Sequence, residues 1–285
     1  MGRHVPPPEV PGREPRPLPG SSGPVTPGPP PAPPVGGPVR GPVAGQHRPR
    51  AAEPGEPFFL PGADWRWPAA IAGLAAGAAP QALLQLASLF GGDTSTNAQA
   101  VTTASAILIA VSSLVLYSWQ ALAAWIFSVR TAAGRSWALW GFRRPTRAYF
   151  WAVPLGLGAA YAVGIVHDII VHPRQQAIVS EFPHSTVGAV LFALVAVVMA
   201  PVFEEIVFRG FLFRGLANSF GWVWGALISA GIFGAAHLQL DVFLPLAALG
   251  FVLAWAYHRT GSLWTNVTMH ALFNGIAVLA WALAS

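Results

Sequence analysis

The apolar pattern divides the chain in two. Up to residue 62 no apolar run exceeds a few residues, whereas from Trp65 onward long apolar runs alternate with short polar breaks. The runs cover about 66–90, 101–128, 149–171, 185–217, 222–238, 243–258 and 263–284. Each is long enough, or nearly so, to cross a hydrocarbon core of about 30 Å. None has the alternation of a barrel strand, and only helices and closed barrels satisfy their backbone in lipid. The pattern therefore predicts an all-α, polytopic transmembrane bundle of about seven spans. "GLAAG" at 73–77 and "GLGAAYAVG" at 156–164 offer small-residue faces for close helix packing.

The first 62 residues hold 20 of the 28 prolines and 11 of the 30 glycines, so they cannot bury a core and are expected to be a disordered, cytoplasmic tail rich in Pro, Gly and Arg. The tail has no hydrophobic core segment of a signal peptide. The organisation read from the sequence is thus a tail at 1–62, N-terminal transmembrane helices with a basic loop at 63–184, and a second group of helices at 185–285.

Composition supports a membrane protein. Of 285 residues 54% are hydrophobic and 9% charged, against about 25% charged in soluble domains. The pI near 10.7 comes from arginine alone, since lysine is absent. These arginines lie in the tail and in loops, which points to topology and not to nucleic acid. The loop between spans 2 and 3 holds Arg130, Arg135, Arg143, Arg144 and Arg147, while "GGDTSTNAQ" between spans 1 and 2 holds none. Positive residues stay inside, so the N-terminus and the 129–148 loop are expected in the cytoplasm of a multi-pass plasma-membrane protein. Arg214 and Arg259 then fall at cytoplasmic ends, with Trp222, Trp224 and Trp264 as an aromatic belt. Absence of cysteine excludes disulfides, thiolate catalysis and cysteine-ligated metal.

Against this background "PVFEEIVFRG" at 201–210 stands out. An ionisable side chain at membrane depth costs at least ~2.5–3.5 kcal/mol, and such groups mark functional sites. Glu205 and Arg209 are four apart and can pair on one helix face. Glu204 points about 100° away and is left to project into the bundle, where a desolvated carboxylate suits a general base or acid. Pro201 removes a backbone donor, which is expected to free a carbonyl around Val197 and to open room beside Glu204. Folded as a hairpin about "NSFG", Glu204 and His237 reach one depth. His270 and Asn274, four apart, share a face. Straight helices would leave the two histidines roughly 9 Å apart in depth, a gap that tilt or unequal ends must close. His167, Asp168 and His172 are expected to reach water, His258 to snorkel at an interface, and Asp241 to lie in a turn.

A carboxylate with two imidazoles can hold and deprotonate a water, and an amide can stabilise the resulting oxyanion. Glu204, His237 and His270 could instead ligate zinc with water in the fourth position, although HExxH is absent. Both routes end in hydrolysis by activated water. A non-catalytic membrane scaffold, held together by the same charges, is the alternative reading, and a proton-coupled transporter has no repeated half to support it.

The order Glu204-Glu205-x-x-x-Arg209, Phe233-x-x-x-His237, His270-x-x-x-Asn274 resembles the three-motif signature of the CAAX protease and bacteriocin-processing family, intramembrane endopeptidases related to the type II CAAX prenyl endopeptidases. The resemblance covers about 185–284 and no motif position departs from it. It implies a protease in which Glu204 activates water, His237 and His270 complete the water site and Asn274 is the oxyanion or ligand partner. Glu205, Arg209 and Phe233 are supporting positions. Family members are often labelled metalloproteases, but a metal-free glutamate and histidine water site is the reading favoured over zinc. Substrates implied are membrane-embedded or lipidated proteins or peptides in the lipid bilayer. Some relatives are linked to bacteriocin immunity, which sharpens the scaffold alternative.

Overall fold

The computed structural model describes residues 63–90, 103–129, 137–171 and 186–284. The expected tail at 1–62, the 91–102 loop, Arg130, Arg135 and His172 lie outside the described residues. The described residues are helical, with no strand among them. In chain order they form α1 (Trp67–Phe90), α2 (Thr103–Val129), a 3₁₀ turn (Trp137–Trp140) and α3 (Tyr149–Val171). Then follow α4 (Thr186–Phe220), α5 (Trp222–Ala235), α6 (Leu240–Thr260) and α7 (Leu263–Ala284). Six of these helices are long and apolar enough to cross a membrane, and α5 is a shorter apolar helix. Their outward faces carry large hydrophobic side chains such as Leu108, Val115, Phe150, Ile170 and Leu279, as lipid contact requires. The protein is an integral membrane protein.

The predicted spans correspond to these helices, with one functionally important difference. The fifth run ends at Ala235, not 238, and α6 starts at Leu240, not 243. Asp241 accordingly sits in the first turn of α6 and not in a turn between helices. Fourteen residues of α5 span about 21 Å, too little to cross the core. The connection to α6, in which Leu238 takes φ 56°, therefore lies inside the bundle's depth.

Helix α4 is the centre of the fold, and its backbone is not uniform. It widens to π geometry at Leu194–Met199 and again at Glu205–Phe213, with an α-helical stretch Ala200–Glu204 between. Such wide turns gather at functional sites. In the first, the Ala200 N–H reaches back five residues to the Val195 carbonyl. The next donor in that register would be Pro201, which has none. The carbonyl left over is therefore that of Ala196, not one near Val197 as a plain α register implies. The Asn274 Nδ2 donates to it at 2.8 Å. Two carbonyls of the second wide stretch take donors from other helices. Ser229 Oγ donates to Phe208 O at 3.3 Å, and Trp65 Nε1 to Phe211 O at 2.9 Å.

The buried core collects around α4: Phe211, Leu212 and Phe213 contact solvent nowhere and pack with Leu253, Tyr257 and Leu263. Close approach of α5 and α6 depends on Gly250, where an added Cβ would stand 3.0 Å from Ala230 Cα. Of the small-residue faces, Gly73 meets Phe211 and Gly156 meets Met269, whereas Gly158 and Gly164 face open space.

The arginine-rich end is built and not merely solvated. Arg143 Nε donates to Gly261 O at the α6–α7 turn, and Ser262 Oγ donates to Arg143 O at 2.7 Å. Arg214, expected at a cytoplasmic end, does not stand in solvent. It is 2% exposed and donates to Leu139 O at 2.8 Å. His258 does not snorkel either: it is buried and stacks on Trp222 with ring centroids 4.6 Å apart. His167 is likewise buried and does not reach water, with its Nδ1 3.3 Å from the exposed Asp168. In each case a neighbouring helix covers a side chain that the linear pattern assigns to the surface.

Candidate active site

The two adjacent glutamates have opposite fates. Glu205 is wholly buried and fully engaged. Arg209 Nη1 donates to its Oε1 at 2.9 Å, and Asn266 Nδ2 donates to its Oε2 at 3.1 Å. Arg209 is itself held by Gly250 O at 3.2 Å and lies over the Phe233 ring at 4.5 Å. The expected brace is formed, and it does more than neutralise a charge. The His270 Nδ1 also contacts Glu205 Oε1 at 3.0 Å. An ionised Glu205 can only accept, so Nδ1 carries the proton and Nε2 presents its lone pair on the other side. A carboxylate fixing a histidine's tautomer in this way is a recurrent device for orienting an imidazole.

Nε2 of His270 faces Glu204, whose Oε2 is 3.9 Å away. That is too long for a direct hydrogen bond. It is a separation at which one water can donate to both acceptors at about 2.8 Å. Glu204 keeps 16% of its side chain accessible and lines a cavity of about 360 Å³. The cavity wall also includes Tyr117, His237, His270 and Asn274, so the motif residues converge on one space. His237 lies just past the end of α5 and bonds through Nδ1 to Phe233 O at 2.8 Å. The carbonyl can only accept, so here too Nε2 is the free nitrogen. Phe233 separates the two imidazoles, with ring centroids 5.0 Å from His237 and 5.9 Å from His270. The short α5 is what removes the depth mismatch expected from straight, equal helices.

Among the described residues no group of three or more His, Cys, Asp and Glu side chains is placed to hold a metal ion. The donors as arranged do not form a cage.

Two participants are not evident from the sequence motifs. Tyr117 of α2 places its hydroxyl 3.4 Å from Glu204 Oε1 and stacks on Phe203 with centroids 5.7 Å apart. Its partner is 87 residues away, so no local spacing signals it. Asn266 is different: it stands four residues before His270, as Asn274 stands four after, and that repeat on one face of α7 was readable.

Asn274 is committed to the Ala196 carbonyl by one of its two amide protons. Asn274→Ala is expected to leave that carbonyl unpaired in an apolar wall, at about 1–3 kcal/mol. The check is thermal unfolding in detergent, where an unchanged transition would argue against the contact.

Residues 186–276 match the family model described as type II CAAX prenyl endopeptidase Rce1-like. Over that stretch the chain is similar to that family. The match takes in α4, α5, α6 and most of α7, and so includes Glu204, Glu205, Arg209, His237, His270 and Asn274. Among curated proteins, one from Bacillus subtilis (strain 168), described as "Putative membrane peptidase YdiL", is 34% identical over 89 residues, 31% of this chain and 36% of that protein. A second, described as "Uncharacterized 24.3 kDa protein", from Escherichia coli, is 32% identical over 104 residues, 34% of this chain and 48% of that protein. The chain thus spans between about a third and a half of the length of these relatives. No solved structure matches. Tyr117 lies outside the Rce1-like stretch, on a helix that the remainder of the chain adds to it.

Proposed function

We propose that the protein is an intramembrane endopeptidase that hydrolyses a peptide bond of a membrane-embedded or lipidated protein or peptide, with water activated by glutamate and histidine. The observation that carries this reading is the 3.9 Å gap between Glu204 Oε2 and His270 Nε2, opening on a cavity that also contains His237 and Asn274. In the proposed reaction a water bridges Glu204 and His270. Glu204 takes its proton as the water oxygen attacks the scissile carbonyl carbon. His237 completes the water site through its free Nε2, and the oxyanion is met by the second amide proton of Asn274. The proton held by Glu204 then passes to the leaving nitrogen, the C–N bond breaks, and a carboxylate and an amine leave. Glu205, Arg209 and Phe233 act behind this set, fixing the ring of His270 and the position of His237.

The proposed reaction needs no metal, and the proposed setting is a multi-pass plasma-membrane protein with its N-terminus in the cytoplasm, from the arginine distribution. Purified protein in liposomes, incubated with solubilised membrane proteins of its own cells, is expected to generate new N-termini. His237→Ala is expected to generate none, and dialysis against a strong chelator is expected to leave the wild-type pattern unchanged. Identical products from wild type and His237→Ala would end the proposal. Loss on chelation with recovery on adding zinc would replace its metal-free form.

A further inference from the structure

We infer that Tyr117 is a positioning residue for Glu204: its hydroxyl holds one carboxylate oxygen so that the other is turned to His270 and to the water between them. The role deepens the peptidase reading and rests on it for the reaction that Glu204 serves. The contact itself rests on geometry alone.

The two adjacent glutamates are held very unequally. Glu205 accepts from Arg209, Asn266 and His270, which leaves its carboxylate no freedom to turn. Among the described residues Glu204 has one hydrogen-bond donor, the Tyr117 hydroxyl, 3.4 Å from Oε1. Its other oxygen, Oε2, is the one 3.9 Å from His270 Nε2. A glutamate at the edge of a cavity turns about its side-chain bonds unless a partner fixes the plane of its carboxylate. A base must stand within hydrogen-bond reach of the proton that it takes, so the group that fixes this plane bears on the rate.

Tyr117 is placed to do so. It lies in the middle of α2, and its ring stacks on Phe203 with 6° between the planes. Phe203 immediately precedes Glu204 in the α-helical stretch Ala200–Glu204 between the two wide turns of α4. One side chain thus engages two neighbouring residues, its ring on Phe203 and its hydroxyl on Glu204. Because the ring is rigid, the stacking fixes where the hydroxyl stands. The other hydroxyl that α2 brings to the cavity, that of Ser113, donates to Ile109 O of its own helix at 2.8 Å. Tyr117 is therefore the hydroxyl of α2 that reaches across to α4. An ionised Glu204 can only accept, so the hydroxyl donates. At 3.4 Å the bond is long, as catalytic contacts often are before substrate binds and tightens them. Packing alone does not call for the hydroxyl, since a phenylalanine would stack on Phe203 equally well.

The test is a double-mutant cycle on the full-length protein in liposomes: wild type, Tyr117→Phe, Glu204→Gln and the double variant. Each is given solubilised membrane proteins of its own cells over a range of concentrations, and the rate at which new N-termini appear is followed. Tyr117→Phe is expected to lower the maximal rate about 10- to 100-fold, the scale of a displaced catalytic group. The half-saturating concentration and the unfolding temperature in detergent are expected to stay as in wild type. Added to Glu204→Gln, the same change is expected to cost nothing further, because a group that acts through the base has no effect once the base is gone. Full activity of Tyr117→Phe overturns the inference. So does a raised half-saturating concentration at an unchanged maximal rate, which would make Tyr117 a binding contact. A further loss in the double variant overturns it too, because Tyr117 would then act independently of Glu204, and a lower unfolding temperature in step with the loss would assign Tyr117 to the fold. Equal cleavage by wild type and Glu204→Gln would instead end the peptidase reading and this role with it, so the two failures are told apart.

Discussion

Glu204→Gln is expected to lower the turnover of peptide cleavage by a factor on the order of 10²–10⁴, the usual contribution of a positioned general base, while the protein inserts and folds normally. The amide keeps the shape of the carboxylate and cannot take a proton from water. The fold should not suffer, because among the described residues the one hydrogen bond of Glu204 is the long one from the Tyr117 hydroxyl at 3.4 Å. Removing a partly desolvated charge from a cavity can even raise stability, as is common where a site is maintained at the expense of the fold. The expected pattern is therefore divergent: cleavage collapses and the unfolding temperature in detergent holds or rises. A variant with both activity and stability reduced would mean that Glu204 is structural. One with full activity would mean that His270 or another group is the base.

Arg209→Ala should behave in the opposite way. Both members of the pair are buried, at 1% and 0% exposure of their side chains, and the Arg209 guanidinium also bonds Gly250 O and lies over Phe233. Breaking a buried ion pair by removing one partner typically costs about 3–5 kcal/mol, because the remaining charge is uncompensated. Here Glu205 keeps Asn266 and His270 as donors, which places the expected loss toward the lower end of that range. Replacing both members, as in Glu205→Gln with Arg209→Met, should recover part of the stability, since no unpaired charge is left. It should not recover activity, because a neutral amide in place of the Glu205 carboxylate no longer dictates which nitrogen of His270 carries the proton. Unchanged unfolding of Arg209→Ala would contradict the brace. Restored activity in the double variant would contradict the orienting role of Glu205.

These predictions separate two kinds of information in the sequence. The helices were legible because lipid leaves few alternatives to a helix for long apolar runs: all seven runs have their helix, although the fifth is too short to be a span. Ends were less legible. The early stop of α5 at Ala235 is not marked by proline. That early stop is what brings His237 level with His270. The Glu205–Arg209 pairing was readable from four-residue spacing, since both partners ride on one helix. The third partner, His270, is 65 residues away, and no local pattern shows that one imidazole would stand between two adjacent glutamates. The burial of Arg214 and the misplacement of His167 and His258 have a related reason. A polar residue near a span's end reads as a surface group until the packing of a neighbouring helix is known. Pro201 was correctly singled out, but a missing donor frees a different carbonyl in a π turn than in an α turn, and the sequence does not announce the register.

The most direct test of the central claim, that Glu204 drives peptide-bond hydrolysis within the membrane, compares the protein N-termini in membranes of cells carrying wild type or Glu204→Ala, both expressed to equal levels. The account predicts new N-termini present with wild type and missing with the variant, each derived from a protein with a membrane-resident segment at the cut. Identical sets of N-termini from the two membranes would contradict it and leave the bundle as a scaffold whose buried charges serve only the fold.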